Sequence, residues 1–318
     1  MKTVSLKIDD SISGKTEENL LRIKKSQNKY INVAIDFYNQ LQRRLILKKK
    51  LSFLIIIMIL ASCTQKKIET PEVLDFVNML NKSQWIDLSY AFDENTVYWP
   101  TNVHFTHDTV FCGFTDKGYF YSSFKYAAEE HGGTHFDAPI HFSANKNTIE
   151  KVPLSQLKGI GVVVNVSEKA LKNHDYLISV EDFKEWENRN GKIPDGAIVL
   201  VYTGYGQYYH NREKYLGTIL TGPEAISELH FPGLSAEAAK WLTDKRNINA
   251  IGLDTPSIDY GQSKDFLAHR ILCDNDLTIY ENIANLEKLP ETGSYIIALP
   301  MKIKGGSGAP LRIIAIVY

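Results

Sequence analysis

Between His131 and Phe142 the chain reads His-Gly-Gly-Thr-His-Phe-Asp-Ala-Pro-Ile-His-Phe, and His131, His135, Asp137 and His141 all fall on odd positions. In an extended segment side chains alternate, so this spacing turns all four metal-capable groups to one face. Thr134, Phe136, Ala138, Ile140 and Phe142 then occupy the other face, the pattern of a strand packed on a core. Gly132, Gly133 and Pro139 weigh against a helix here.

At ~3.3 Å per residue, His135 and Asp137 stand roughly 6.6 Å apart and can share one ion. Full extension would separate His131 from His135 by about 13 Å. The glycine pair therefore predicts a bend that returns the His131 imidazole to the ion. His141 lies a similar distance beyond Asp137, which suits proton transfer better than ligation. Two neutral imidazoles and a carboxylate leave a position open for water, as in catalytic zinc and manganese sites. The alternative is a strand whose histidines are each satisfied by hydrogen bonds at a sheet edge. Four metal-capable groups on one face, in a chain with nine histidines, favour the site.

The motif resembles the HxGTHxDxPxH signature of the metal-dependent cyclase-like hydrolases, the family of bacterial kynurenine formamidase and isatin hydrolase. A second block, Ala268-His-Arg-Ile-Leu272 followed by Ile279-Tyr-Glu-Asn-Ile283, is similar to that family's distal ligand pair, with Glu281 twelve residues after His269. Asp87-Leu-Ser89, Val97-Tyr-Trp-Pro100, Gly252-Leu-Asp-Thr-Pro-Ser257 and Lys304-Gly-Gly-Ser-Gly-Ala-Pro310 extend the likeness over residues 83 to 318. The resemblance implies an α/β fold, a swivelling β/β/α domain with a barrel-like sheet. It implies that His131, His135 and Asp137 bind one divalent metal, with Asp137 bridging to a second ion held by His269 and Glu281 touching both. Zinc is the expected ion, with manganese as the alternative. His141 matches the family's proton donor and acceptor, and Trp99 an aromatic that contacts substrate. A homodimer or homotetramer is implied as well. Asp254 and Ser257 follow an apolar strand, and either shape a turn around Pro256 or support the ligand histidines.

Charge divides the chain. Residues 1 to 50 hold 12 Lys and Arg against 5 Asp and Glu, a net of +7, whereas the whole chain has 36 against 37. Overall balance argues against wholesale nucleic-acid binding. The basic segment 1–46 pairs an alternating stretch, Thr3 to Ile8, with helical spacing from Ile31, and resembles the ribbon-helix-helix fold of small bacterial repressors. Nucleic acid is a partner only if this segment is an expressed domain. Residues 47–63 read as a lipoprotein signal: Lys48-Lys-Lys50, the apolar run Leu51 to Leu60, then Leu60-Ala-Ser-Cys63, a lipobox that makes Cys63 the lipid-attachment site. The run is short of the ~20 residues of a comfortable span. Export would place the enzyme on a membrane through its lipid anchor, and would remove the basic head, so either translation of the exported form starts near Leu47 or two frames are joined. An unused signal would leave a cytoplasmic protein. Residues 64–82 read as a linker and 83–318 as the hydrolase domain.

Between the ligand blocks, residues 161–166 and 197–202 read as buried strands. Ser179 caps a helix running to Asn190 and stopped by Gly191, and Ser235 caps another that feeds a strand ending at Asp254. Further strands are expected at 295–299 and 311–317. The loop Gly305 to Gly308 lacks the Gly-Lys-Ser/Thr of a phosphate-binding loop. Cys112 and Cys273 lack framework spacing and read as separate thiols. The site predicts a metal-dependent hydrolase, and the resemblance implies an amide substrate, an aryl formamide of the N-formylkynurenine kind, as in tryptophan catabolism, or a lactam such as isatin or a lactone. A metal-binding structural or transport lipoprotein is the non-enzymatic alternative.

Overall fold

The structure, a computed structural model, describes residues 71–317, together with residues 19, 21–22, 25, 28–29 and 31–38. The chain divides into two units, Met1–Glu72 and Val73–Tyr318. In the first, residues 31–38 are helical, in keeping with their spacing. The expected Thr3–Ile8 strand, the apolar run and Cys63 lie outside the described residues.

The second part of the chain opens with helix α1 (Pro71–Lys82) and strand β1 (Gln84–Asp87), then a hairpin of β2 (Thr106–Phe114) and β3 (Phe120–Ala127). The motif supplies a short β4 (His135–Asp137). There follow β5 (Lys158–Asn165), β6 (Leu177–Ile178), α2 (Val180–Asn190), β7 (Ile198–Tyr202), β8 (Gly233–Leu234), α3 (Ala236–Lys245), β9 (Ala250–Leu253), α4 (Leu267–Asp274), β10 (Thr278–Glu281), β11 (Ser294–Pro300) and β12 (Gly308–Val317). Residues 71–82, expected to be linker, are helical because Val73, Phe76, Val77 and Leu80 follow a helical repeat.

The main sheet runs β1-β12-β11-β5-β7-β9-β10-β4, and β4 also pairs with β12, closing seven strands into a barrel with β1 outside the ring. This is the α/β fold with a barrel-like sheet that the motifs imply. Strands β5, β7, β9 and β10 are mutually parallel; β11, β12 and β4 run antiparallel to their neighbours. The parallel strands are apolar on both faces for a reason. Val163, Ile198, Leu200 and Tyr280 join Phe136, Ile296 and Ile313 in the barrel core. Val162, Val164, Val199, Val201 and Ile279 pack outward under α2, α3 and α4. The helix boundaries follow the capping signals: Asp182 accepts from the Ser179 backbone N–H at 2.7 Å, Gly191 ends α2 at φ 87°, and Ser235 accepts from the Ala238 N–H at 3.1 Å.

The motif is less extended than its alternation suggests. Only residues 135–137 are strand, because Pro139 starts a 3₁₀ turn through His141. Phe136 points into the barrel, while His135 and Asp137 face outward toward α4. Phe142, expected on the core face, packs against the outer core under the helices rather than in the barrel, with its ring 4.5 Å from that of His269.

Candidate metal centre

Strand register builds the first part of the site. His135 lies directly opposite Glu281 across the antiparallel β4–β10 pair, with Asp137 two residues further along the same face. Helix α4 adds His269 from the side. Asp137 is fully buried, and His135, His269 and Glu281 are buried as well. His135 Nε2 stands 3.2 Å from Asp137 Oδ1 and 3.3 Å from Glu281 Oε2; His269 Nε2 stands 3.4 Å from Asp137 Oδ2 and 3.2 Å from Glu281 Oε1.

His131 reaches the same carboxylate through the expected bend. Gly133 sits at φ +56°, and a Cβ on Gly132 would meet the Tyr98 ring at 2.1 Å, so both glycines are needed where the chain turns back. His131 Nδ1 then lies 2.7 Å from Asp137 Oδ1, and its ring stacks on that of His141 with centroids 3.7 Å apart. Ligand atoms of His131, Asp137 and His141 all lie within 4.8 Å of one another, as do those of His135, Asp137 and Glu281. Asp137 thus joins two possible ligand sets. The turn at Pro139 brings His141 nearer to Asp137 than an extended chain would, so its position suits either ligation or proton transfer.

Each of these imidazoles is held from behind. His135 Nδ1 donates to the Gly133 carbonyl at 2.9 Å, which leaves Nε2 for an ion. The same carbonyl accepts from Asn282 Nδ2 at 2.8 Å, and Asn282 Oδ1 accepts from the buried Tyr215 hydroxyl at 2.8 Å. His269 Nδ1 is 2.7 Å from Asp259 Oδ2, whose carboxylate also accepts the Ala268 and His269 backbone N–H groups. His131 Nε2 is 2.9 Å from Ser307 Oγ, and Glu130 holds Ser307 through side chain and backbone. The glycine-rich loop therefore orients His131: a Cβ on Gly308 would meet its ring at 2.4 Å. Such outer partners fix tautomer and ring orientation at metal sites.

Sequence reasoning missed Asp259, Glu130, Ser307 and Asn282 as supports. Asp259 lies two residues beyond Ser257, within reach of the same signal. Asp254 is not behind any of these histidines: its carboxylate accepts from Thr203 N and Oγ1 and from Gly206 N, holding the turn after β7. Ser257 lines the cavity above the centre.

The donor set fits a divalent cation. Two buried carboxylates face three imidazoles that are neutral when ligating, and Asp137 Oδ2 is buried without a hydrogen-bond partner. Burying such carboxylates costs several kcal/mol per ion unless cations pair with them, whether imidazolium groups or a bound metal. Without a cation, burial pushes the His135 imidazole down, but Asp137 and Glu281 outweigh it and raise the pKa to about 10. His269 is likewise raised well above its usual value by Asp137, Asp259 and Glu281, against burial. Asp137 goes the other way, since His135 and His131 overcome its burial and lower it. His141 is pushed down to about 4, chiefly by burial.

Above these groups is a cavity of about 320 Å³. Trp99, Phe142 and Phe266 form an aromatic side, with Phe266 centroids 6.2 Å from Trp99 and 5.5 Å from Phe142. Phe266 is held at φ +49°, a left-handed conformation uncommon for an aromatic residue, immediately before α4.

The Cyclase family model matches residues 86–260. The chain belongs to the cyclase family. It is 31% identical over 196 residues to the isatin hydrolase of Roseibium aggregatum, covering 59% of this chain and 72% of that protein. To the kynurenine formamidase of Bacillus cytotoxicus it is 27% identical over 235 residues, covering 74% of this chain and 98% of that protein. The solved structure of isatin hydrolase A from Labrenzia aggregata, bound to benzyl benzoate, superposes with a TM-score of 0.70 at 29% identity, covering 77% of this chain and 99% of that one. Relatedness to both enzymes marks the cyclase-family barrel described above as a hydrolase, and its His, Asp and Glu cluster as able to bind a metal.

Proposed function

We propose that the protein hydrolyses the amide C–N bond of an aromatic substrate, with an aryl formamide of the N-formylkynurenine kind as the first reading. The observation that carries it is the buried Asp137 carboxylate, its Oδ2 without a hydrogen-bond partner, ringed by histidines and Glu281 beneath an aromatic cavity. His131, His135, Asp137, His269 and Glu281 would hold one or two divalent ions, and the mixed imidazole and carboxylate donors suit zinc first and manganese second. When bound, such an ion polarises a carbonyl and lowers the pKa of water to about 7. His141 takes the proton from the attacking water and returns it to the departing nitrogen. Trp99, with Phe142 and Phe266, stacks on the aryl group and sets the carbonyl over the carboxylates. A lactam such as isatin is the second reading, supported by the likeness to isatin hydrolases in solved structures.

The test is a substrate screen on the metal-loaded protein. N-formylkynurenine, isatin and an aryl lactone are compared before and after chelation. Metal-dependent turnover of the formamide supports the first reading, and preference for isatin supports the second. Stoichiometric metal with no turnover of any of them favours a structural or transport role. Trp99→Ala should raise KM for aromatic substrates more than for small aliphatic amides, with metal content unchanged.

Two further readings concern export and assembly. Export as a lipoprotein rests on Lys48 to Cys63, and an intact mass or N-terminal sequence still beginning at Met1 would refute it. Assembly as a homodimer or homotetramer is supported by the exposed aromatic residues of the β2–β3 hairpin, among them Phe114, Phe120 and Tyr121.

A further inference from the structure

Helix α1 carries most of its apolar side chains in the open, with Leu80 half-buried at the end nearest the barrel. Val73, Phe76, Val77 and Leu80 recur along one stripe, with Leu74 and Met79 at its edges, while Asp75, Asn78 and Lys82 take the opposite side. Val73 and Phe76 are each 56% exposed and Leu74 is 53% exposed, the reverse of what an amphipathic helix packed on its own domain shows. A helix of this length is marginal in water without a partner for that stripe. Its C-terminal end is fastened to the barrel, since Trp85 on β1 donates its indole N–H to the Leu80 carbonyl at 3.0 Å. The Trp85 ring is itself 53% exposed beside the stripe.

We propose that α1 is an interfacial helix whose apolar face lies in the surface of a lipid bilayer and seats the barrel against it. The position of the helix in the chain selects this occupant over a second protein. Residues 64–70 alone separate the lipobox Cys63 from Pro71, and seven residues span at most roughly 25 Å. On the lipoprotein reading proposed above, on which this choice of occupant rests, a lipid on Cys63 keeps α1 at the membrane surface. The helix lies on the bilayer and does not cross it: twelve residues make about 18 Å of helix against a hydrocarbon core of about 30 Å. Among the described residues no helix is long and apolar enough to cross. With Asp75 against Lys82, the helix has no cationic face, so the contact is apolar and does not depend on anionic lipid.

Amide hydrogen exchange on the full chain, read at residues 73–82, tests this independently of activity and of lipidation. Vesicles of phosphatidylcholine alone and of phosphatidylethanolamine with phosphatidylglycerol are the probes. Exchange in α1 is expected to slow at least tenfold on both vesicle types. Val73→Asp with Val77→Asp should abolish that slowing while the barrel strands exchange as in the parent. Equal exchange with and without vesicles overturns the proposal. So does slowing that appears without vesicles and grows with protein concentration, which would assign the stripe to a second copy, or slowing that survives the double substitution.

Discussion

Asp259→Asn separates orientation of a ligand from ligation itself. Asp259 touches no ion in the arrangement described; it accepts from His269 Nδ1 at 2.7 Å and from two backbone N–H groups at the start of α4. The amide keeps the shape and one acceptor oxygen, so the helix start survives, but the charge that fixes the His269 tautomer and strengthens its Nε2 as a donor is gone. Loss of such an outer partner weakens metal binding by about 10 to 100 fold, or ~1.4 to 2.7 kcal/mol. Competition against a chromophoric chelator reads the affinity, and denaturant unfolding of the metal-free protein reads the fold. Asp254→Asn is the matched control. It removes a buried carboxylate that bonds Thr203 and Gly206 and should destabilise the fold by about 1 to 3 kcal/mol while leaving metal affinity near that of the parent. Unchanged affinity in Asp259→Asn, or a larger affinity loss in Asp254→Asn, would show that Asp259 does not tune His269 for metal.

Direct ligands should behave more drastically: His135→Ala and Asp137→Ala should each lose metal and activity together while the barrel still folds, and full metal content by elemental analysis in both variants counts against the assignment. His141→Ala should keep its metal and lose turnover by roughly 10² to 10⁴ fold; if it loses metal, His141 is a ligand alongside His131 and Asp137. Metal binding at neutral pH should release protons, because His135 is held protonated up to about pH 10 in the metal-free site. Calorimetry in buffers of different ionisation enthalpy measures that release, and an exchange of no protons contradicts it. The same raised pKa gives the metal-free protein a stabilisation that is complete below about pH 6.5 and is lost as pH climbs toward 10, so its Tm should fall across that window.

Local chemistry was legible in the sequence. The period of two that puts His135 and Asp137 on one face with Phe136 on the other is a property of the backbone and needs no tertiary knowledge. Glycines at 132 and 133 announced the bend, and Ser179, Gly191 and Ser235 marked helix ends, because caps and turns are set by residues adjacent in the chain. The spacing of His269 and Glu281 was readable only through family resemblance, since nothing local ties a helix residue to a strand twelve positions later. The tertiary structure decided what depends on distant segments meeting. Barrel closure sets the β4–β10 register that puts Glu281 opposite His135. The packing of α4 brings Asp259 behind His269, leaving Asp254 to the β7 turn, and the 304–310 loop carries Ser307 to His131. Pro139 replaces the last part of an alternating strand with a tight turn, which moves His141 toward Asp137 and Phe142 into contact with His269. Alternation along the chain names candidate ligands; closure of the barrel and helix packing fix which atoms come within reach of one ion.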